Sequence, residues 1–252
     1  MSDGDTRASA TVVLLREGTR KPELLLVQRH AATAFGGTWA FPGGVLDPDD
    51  AQVASACAGV SAAAADALLN TDSALDYFSA AVRELFEETG VLLARSDAEP
   101  PRTDREALNT GALRWRDFVT ARSLRLDCAA LHYFSYWVTP KNVGKRFRTR
   151  FFVAELPAGQ CAAHCGRELT DSQWLTAEEA LRRHCEDELA MILPTLKTLE
   201  WLQPFDSVAA AILEARQLAA EGVVEMLPKA ITVDGERRIL LPGEPGYAEI
   251  PA

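Results

Sequence analysis

The sequence has 252 residues, a formal net charge of −10 at pH 7 and an apolar fraction of 48%. A chain of this length can bury a full hydrophobic core, so we expect a single elaborated domain over residues 1–252. The acidic balance argues against nucleic acid as a partner, because binding a phosphate backbone requires a basic surface.

The cysteines and the polar N-terminus indicate where the protein resides. Residues 1–10 lack the apolar segment of a secretory signal, and no apolar run reaches the roughly 18 residues that a membrane span requires. Five cysteines without a secretory signal favour reduced thiols over a disulfide framework. We therefore expect a cytoplasmic protein with no membrane partner.

The first part of the chain predicts short strands that lead into a glycine turn. Apolar runs predict strands at residues 9–16 and 23–29, and aromatic residues predict a shorter strand at Trp39–Phe41. A Phe-Pro-Gly-Gly sequence then predicts a turn, which we place at residues 41–50. Alanine-rich residues 51–69 predict an extra helix after this turn.

An acidic cluster marks the next predicted helix, at residues 76–90. Glu84, Glu87 and Glu88 are spaced i, i+3 and i+4, so they share one face, while apolar side chains fill the opposite stripe. Gly90 is a good residue to end this helix. Three neighbouring carboxylates repel one another unless they share a cation, and their oxygens suit Mg²⁺ or Mn²⁺. The alternative is a solvated acidic face.

The remainder of the chain predicts a mixed sheet covered by helices. Further strands are predicted from Val91 and over residues 131–138, 148–154 and 171–175. Further helices are predicted over residues 111–123, 177–185, 188–201 and 207–221. Residues 177–252 thus form a helical C-terminal extension, in which the Pro- and Gly-rich residues 241–247 are either an ordered wrap or an interface element.

A Cys-Ala-Ala-His-Cys sequence at residues 161–165 raises the question of a zinc site. Zinc sites normally need a fourth ligand, and only His184 and Cys185 on a later helix are candidates. The alternative is a loop with incidental thiols. His132, His164 and His184 lack a matched Asp or Ser, so the sequence does not support a nucleophilic triad.

The sequence Arg-Glu-Leu-Phe-Glu-Glu-Thr-Gly-Val at residues 83–91 resembles the second half of the Nudix hydrolase signature, G-x5-E-x7-R-E-U-x-E-E-x-G-U, at every fixed position. The resemblance implies an α/β fold, the Nudix α/β/α sandwich with a mixed β-sheet. Arg83 and Gly90 would then be structural residues of the signature. Glu84, Glu87 and Glu88 would be ligands of Mg²⁺ or Mn²⁺ and catalytic residues.

The first half of the signature departs from the pattern. Counting from Gly44, the first Glu of the signature is replaced by Asp50, and 32 residues separate Asp50 from Arg83 where the signature has seven. The chain therefore carries an insertion of 25 residues, the helical insertion at residues 51–75. The usual role of the first Glu, pairing with the Arg of the signature, falls to Asp47, Asp49, Asp50 or another acid.

The long insertion resembles the Nudix branch that contains the peroxisomal coenzyme A diphosphatases. This resemblance implies that the protein cleaves the diphosphate of a nucleoside diphosphate derivative, with CoA or an acyl-CoA as preferred substrate. A separate coenzyme A motif, L-L-T-x-R-[SA]-x3-R-x3-G-x3-F-P-G-G, fits only in part, because Arg29 is one residue out of register and Thr33 replaces its second Arg. The alternatives are an ADP-ribose, NADH or sugar-nucleotide pyrophosphatase, and a sensor of nucleotide metabolites without turnover.

The general base and the substrate contacts complete the predicted site. In the Nudix family the base is a Glu of the signature or a Glu from a later loop, and Glu168 is our loop candidate. Arginine guanidinium groups bind phosphates through paired hydrogen bonds, although each candidate arginine is equally suited to a surface salt bridge. The predicted substrate-binding residues are Arg29, Gly43, Gly44, Arg148 and Arg150. We expect a small-molecule nucleotide substrate, and the alanine-rich insertion and the C-terminal segment offer surfaces for a homodimer.

Overall fold

The computed structural model describes residues 6–30, 36–95, 102–141, 143–166, 169–233 and 236–250. Its strands are β1 (Thr6–Arg16), β2 (Glu23–Arg29), β3 (Trp39–Ala40), β4 (Gly43–Val45), β5 (Cys57–Ala58), β6 (Ala94–Arg95), β7 (Arg125–Asp127), β8 (His132–Val138), β9 (Arg146–Glu155), β10 (Leu169–Thr176), β11 (Glu225–Met226), β12 (Lys229–Val233) and β13 (Glu236–Leu240). Its α-helices are α1 (Pro48–Gln52), α2 (Ala62–Leu69), α3 (Leu75–Thr89), α4 (Arg102–Asn109), α5 (Trp115–Ala121), α6 (Ala177–Cys185), α7 (Leu193–Leu202) and α8 (Val208–Glu221).

A mixed sheet forms the centre of the fold, as the sequence predicts. Its strand order is β10-β2-β1-β9-β8-β11, with β3 added to β2 and β4 added to β1. Strand β1 pairs in parallel with β9 and antiparallel with β2. Because side chains alternate along a strand, Val12 and Leu14 face one core while Val13 and Leu15 face the other.

Helices cover both faces of this sheet. Helix α3 packs its fully buried Phe78 and Leu85 into the first core, together with the insertion. Helices α6, α7 and α8 cover the opposite face through small or apolar residues such as Ala180, Leu199 and Ala211. The predicted α/β/α sandwich is therefore confirmed, and both faces of β1 are buried.

The inserted segment differs from the single helix predicted over residues 51–69. The chain ends α1 after Gln52, and Gly59 adopts a positive φ of 83° that a helix does not allow. Ser61 then caps a new helix by accepting a hydrogen bond from the backbone N–H of Ala64. The prediction of one long helix is wrong because it weighed alanine content and ignored this break.

Three other predicted elements change. Val91–Leu93 is buried but does not pair as a strand, and β6 begins only at Ala94. The helix predicted over residues 111–123 is confined to α5. The helix predicted over residues 188–201 begins at Leu193, because Pro194 is favoured in a first helical turn.

The C-terminal extension is helical only as far as α8. Beyond it, β12 and β13 pair as an antiparallel ribbon, so the prediction of a helical segment to residue 252 is wrong in this part. The tail wraps onto the ribbon, since Tyr247 donates its Oη to the carbonyl of Leu227 at 2.8 Å and Lys229 donates to the carbonyl of Ile250 at 2.6 Å. Among the described residues, no helix combines the length and apolar character that crossing a lipid bilayer requires.

Candidate active site

The glycine turn lies directly against the acidic face of α3. A Cβ atom on Gly43 would lie 2.4 Å from the carbonyl oxygen of Ala10, and one on Gly44 would lie 2.5 Å from the carboxylate of Glu84. The backbone N–H of Gly43 donates to Glu88 Oε2 at 2.8 Å. Only glycine permits this approach, so the turn and the acidic residues form one site.

We expect Gly44→Ala to disturb the acidic cluster without unfolding the protein. The added methyl group must displace the Glu84 carboxylate, which should lower both Mn²⁺ affinity and kcat by about 10- to 100-fold. Manganese titration and steady-state kinetics measure the two effects. Gly144→Ala is the matched control, because nothing lies within 4 Å of a Cβ atom there. Equal behaviour of the two variants would contradict the role of Gly44.

A buried ion pair fixes α3 to the turn. Arg83 donates from Nε to Asp50 Oδ1 at 3.1 Å and from Nη2 to Asp50 Oδ2 at 2.9 Å, a bidentate pair, and Nη2 also reaches the carbonyl of Val45 at 2.9 Å. The Asp50 side chain is fully buried. It also accepts hydrogen bonds from Ser79 Oγ at 3.0 Å and from the backbone N–H of Asp47 at 2.7 Å. Asp50 therefore takes the place of the first Glu in the signature, which the sequence left open among several acids.

The third nitrogen of Arg83 orients the acidic cluster itself. Nη1 donates to Glu84 Oε1 at 2.8 Å and to Glu87 Oε2 at 3.3 Å. Burial acts to lower the pKa of the Arg83 guanidinium, but Glu84 and Asp50 outweigh it and hold this pKa above its usual value. Arg83 is thus a permanent buried cation that holds two of the predicted metal ligands in place.

A cavity of about 320 Å³ opens beside these residues. Its lining combines carboxylates, two guanidinium groups and a wall from the α4–α5 region: Asp47, Asp49, Arg83, Glu84, Glu87, Glu88, Leu108, Asn109, Gly111, Leu113, Arg114, Trp115 and Cys165. Among the described lining residues, five carboxylates against two guanidinium groups leave an excess of negative charge. The cavity is therefore suited to attract cations.

The donor set fits a hard divalent ion such as Mg²⁺ or Mn²⁺. Carboxylate oxygens are the ligands that such ions prefer, and Glu84, Glu87 and Glu88 supply them from one helix face. Within the described ranges, no group of three or more His, Cys, Asp or Glu side chains is already placed around a common ion. Glu84 instead binds Arg83 and Glu88 binds the N–H of Gly43, so these carboxylates must turn to share a metal.

The zinc interpretation of residues 161–165 gains no support from the structure. The described residues hold no three-ligand cluster there, and all five cysteines are free thiols. His164 Nδ1 lies 3.2 Å from Ser172 Oγ, within hydrogen-bond distance. The segment behaves as a loop that packs beside the acidic helix.

Glu87 has an unusual protonation equilibrium. Burial raises its pKa from 4.5 to about 7, with Arg83 opposing the shift and the neighbouring charge of Glu84 adding to it. A carboxyl group with such a pKa binds a proton in the metal-free protein at mildly acidic pH. A metal ion at this site must therefore compete with that proton.

We expect Mn²⁺ affinity to rise with pH up to about 7 and then to level off, following the pKa of Glu87. Below this pKa the incoming ion displaces one proton, which corresponds to about a tenfold gain in apparent affinity per pH unit. Manganese titrations across the pKa measure the slope. In Glu87→Gln, which has no proton to lose, this component of the slope should vanish, and a flat profile in the parent protein would contradict the raised pKa.

Helix α4 closes the C-terminal end of the acidic helix. Arg105 Nε and Asn109 Nδ2 donate to the carbonyl of Glu87 at 3.1 and 2.9 Å, and Arg105 Nη2 donates to the carbonyl of Ala163 at 2.8 Å. The backbone N–H of Ala163 donates to the carbonyl of Thr89 at 2.8 Å. These contacts hold the loop at residues 160–165 beside the site. Sequence reasoning missed Arg105 and Asn109, since the contacts join residues 18 and 22 positions apart and leave no local pattern.

Glu168, the loop candidate for the general base, lies outside the described residues. Cys165 lines the cavity, and Leu169 begins β10 opposite Arg29. Arg29 Nη2 in turn donates to the carbonyl of Gly43 at 2.8 Å.

The predicted substrate-binding arginines occupy three different environments. Arg29 supports the glycine turn through the hydrogen bond to Gly43. Arg150 is buried between the rings of Tyr77 and Tyr136, at 4.4 and 4.5 Å from their centres, and donates to the carbonyl of Leu69 at 2.9 Å.

Arg148 is exposed on β9 and pairs in register with Ala8 of β1. Arg29, Arg148 and Arg150 are all absent from the lining of the acidic cavity, whereas Arg114, which the sequence analysis did not single out, is part of it. No motif surrounds Arg114, and its carboxylate partner Asp49 lies 65 residues away, so no local pattern could have found it.

The glycine turn, the buried Arg–Asp pair and the acidic helix reproduce in three dimensions the signature that the sequence resembles. A model of the NUDIX domain matches residues 5–58, and a model of the NUDT19 Nudix domain matches residues 61–202. The chain belongs to the Nudix family, and within it to the group described by the NUDT19 Nudix domain.

Individual relatives agree with this placement. The human "Acyl-coenzyme A diphosphatase NUDT19" is 34% identical over an alignment of 188 positions, which covers 67% of this chain and 50% of that protein. The "Putative nudix hydrolase 7" of Caenorhabditis elegans is 25% identical over 185 residues, 72% of this chain and 54% of that protein. The chain thus spans about half the length of the curated relatives it matches.

A solved structure supports the fold. The crystal structure of a NUDIX hydrolase from Alicyclobacillus acidocaldarius superimposes with a TM-score of 0.74 at 30% sequence identity. The match covers 84% of this chain and 97% of that one. The shared architecture therefore includes the central sheet and its flanking helices.

Proposed function

We propose that the protein is a metal-dependent Nudix hydrolase that cleaves the diphosphate of a nucleoside diphosphate derivative, with CoA or an acyl-CoA as preferred substrate. The acidic cavity carries the proposal, because five carboxylates are gathered beside a glycine turn and a buried arginine. The similarity to the human acyl-coenzyme A diphosphatase supports the choice of substrate. The products from CoA are adenosine 3′,5′-bisphosphate and 4′-phosphopantetheine.

The chemistry requires a cation because a diphosphate repels an approaching nucleophile. A Mg²⁺ or Mn²⁺ ion held by Glu84, Glu87 and Glu88 supplies neutralising charge and a water of lowered pKa. Arg83 presents two of these carboxylates by binding them, and the N–H of Gly43 positions Glu88. These contacts keep the carboxylates at the cavity, where they would turn to share the ion.

Glu168 is the general base of the proposed reaction. It accepts a proton from the attacking water, whose oxygen bonds to one phosphorus while the bridging P–O bond breaks and its electrons stay on the leaving phosphate. Support comes from its neighbours in sequence, because Cys165 lines the cavity and Leu169 pairs with the strand that carries Arg29. The role is distinct from that of the metal ligands on α3.

The test is product analysis by mass spectrometry with Mg²⁺ or Mn²⁺ and a panel of nucleotides. The panel contains CoA, acetyl-CoA, ADP-ribose, NADH, diadenosine polyphosphates and nucleoside triphosphates. We expect selective release of adenosine 3′,5′-bisphosphate from CoA or acetyl-CoA. Preference for another member would replace the substrate and keep the Nudix chemistry, while no turnover of any member would contradict the proposal and favour a nucleotide-metabolite sensor.

A further inference from the structure

The two arginines of the acidic cavity differ in what they are able to bind. All three guanidinium nitrogens of Arg83 are engaged, and its side chain is only 7% exposed. The Arg114 side chain is 51% exposed and binds a single carboxylate, that of Asp49, with Nε 3.0 Å from Oδ2. Of the two guanidinium groups among the described lining residues, that of Arg114 is therefore the one accessible to a bound molecule.

The backbone of Arg114 is held firmly although its side chain is exposed. The next residue, Trp115, is buried and donates from Nε1 to Ser79 Oγ at 3.0 Å. Ser79 Oγ donates in turn to Asp50 Oδ1 at 3.0 Å, so Arg114 is anchored to the network that also holds Arg83. These contacts fix the Cα position of Arg114 at the cavity.

Because the cavity is acidic, a substrate phosphate that enters it needs a cationic side chain to bind. Glu84, Glu87 and Glu88 would hold the ion that neutralises the scissile diphosphate, but any other phosphate of the substrate would meet the remaining carboxylates of the cavity. A guanidinium fork binds a phosphate through two parallel charge-assisted hydrogen bonds. The Asp49 side chain is only 4% exposed and would be left buried without its cation if the guanidinium moved away, so Arg114 keeps this contact and offers its outer N–H groups to the phosphate.

We propose that Arg114 is a specificity-determining residue that binds a phosphate group of the substrate lying outside the scissile diphosphate. This inference rests on the proposed function, in which that group is the 3′-phosphate of CoA. Asp49 holds the guanidinium at the cavity before the substrate arrives.

The test compares CoA with dephospho-CoA, which lacks the 3′-phosphate. In Arg114→Ala we expect kcat/KM for CoA to fall about 10- to 100-fold, chiefly through KM, while kcat/KM for dephospho-CoA stays nearly constant. Arg114→Lys should restore part of the preference. Arg116→Ala is the matched control, because Arg116 lies on α5, is 41% exposed and binds Gln52 outside the cavity lining.

Binding measurements separate this inference from the proposed reaction. Calorimetry with adenosine 3′,5′-bisphosphate and AMP should show a preference for the bisphosphate in the parent protein and in Arg116→Ala, and its loss in Arg114→Ala. Equal losses for both ligands, or no loss, would overturn the role of Arg114. Failure to cleave CoA together with an Arg114-dependent preference would reject the proposed reaction alone.

Discussion

Replacing Glu87 or Glu88 with Gln should reduce metal-dependent turnover by at least about 100-fold while leaving the protein folded. Each change removes the charge of one proposed metal ligand and keeps the size of its side chain. The folded state does not depend on these charges, because the buried Arg83 retains its bidentate contact with Asp50. Steady-state kinetics with Mg²⁺ or Mn²⁺ and thermal unfolding measure the two properties separately.

Glu168→Gln distinguishes the proposed base from the metal ligands. This variant should bind Mn²⁺ as the parent protein does and still lose turnover, whereas Glu87→Gln and Glu88→Gln should lose turnover and bind Mn²⁺ more weakly. Glu106→Gln on α4 is the control for a change of charge alone, since Glu106 is exposed and is not part of the cavity lining. Full activity in Glu87→Gln or Glu88→Gln would show that the metal-site assignment is wrong.

Local sequence patterns predicted the acidic helix well because its determinants lie within a few turns. The alternation of buried Phe78 and Leu85 with Glu84 and Glu87 is a property of one helix, and Gly90 ends that helix in the left-handed conformation at φ 78°. The charged face and the buried face both follow from a repeat of 3.6 residues. The structure bears out this helix within one residue at each end.

Sequence alone could not identify the partner of Arg83, because the insertion changes the spacing of the signature. Counting from Gly44 pointed to Asp50, but the changed spacing left Asp47, Asp49 or another acid as alternatives. The structure distinguishes them through burial and capping: Asp47 caps α1 by accepting from the N–H of Asp49, Asp50 faces Arg83, and Asp49 faces Arg114. Contacts across 33 and 65 residues depend on the packing of α1 against α3 and α5, which no local pattern contains.

The inserted segment shows a second limit of prediction from sequence, which is the use of helix propensity alone. Helix propensity favours the alanine-rich stretch throughout, but residues 57–58 instead pair in parallel with β7, where Cys57 lies opposite Leu126. Tertiary pairing and the positive φ of Gly59 therefore outweigh a propensity that amounts to only tenths of a kcal/mol per residue. Arg150 fixes the end of the resulting α2 by donating to the carbonyl of Leu69.

Asp50→Ala should be the most destabilising single substitution at the site, lowering the free energy of unfolding by about 3 to 5 kcal/mol. The change leaves the Arg83 guanidinium buried without its bidentate partner. It also removes an acceptor from Ser79 and from the N–H of Asp47, which disturbs both α1 and the anchor of Trp115. Denaturant unfolding of the metal-free protein measures the loss.

Two comparisons show whether the unpaired charge of Arg83 causes this loss of unfolding free energy. Glu200→Gln breaks the exposed Lys197–Glu200 pair, with Nζ and Oε2 2.7 Å apart, and should cost less than about 1 kcal/mol. Adding Arg83→Met to Asp50→Ala removes the buried charge and should recover part of the lost stability, because an apolar side chain tolerates the same site better. The opposite outcome is a double variant whose free energy of unfolding is lower than that of Asp50→Ala by the full cost of a second core substitution. In that case the Arg83–Asp50 pair would stabilise the protein through the packing of its side chains and not through its charges.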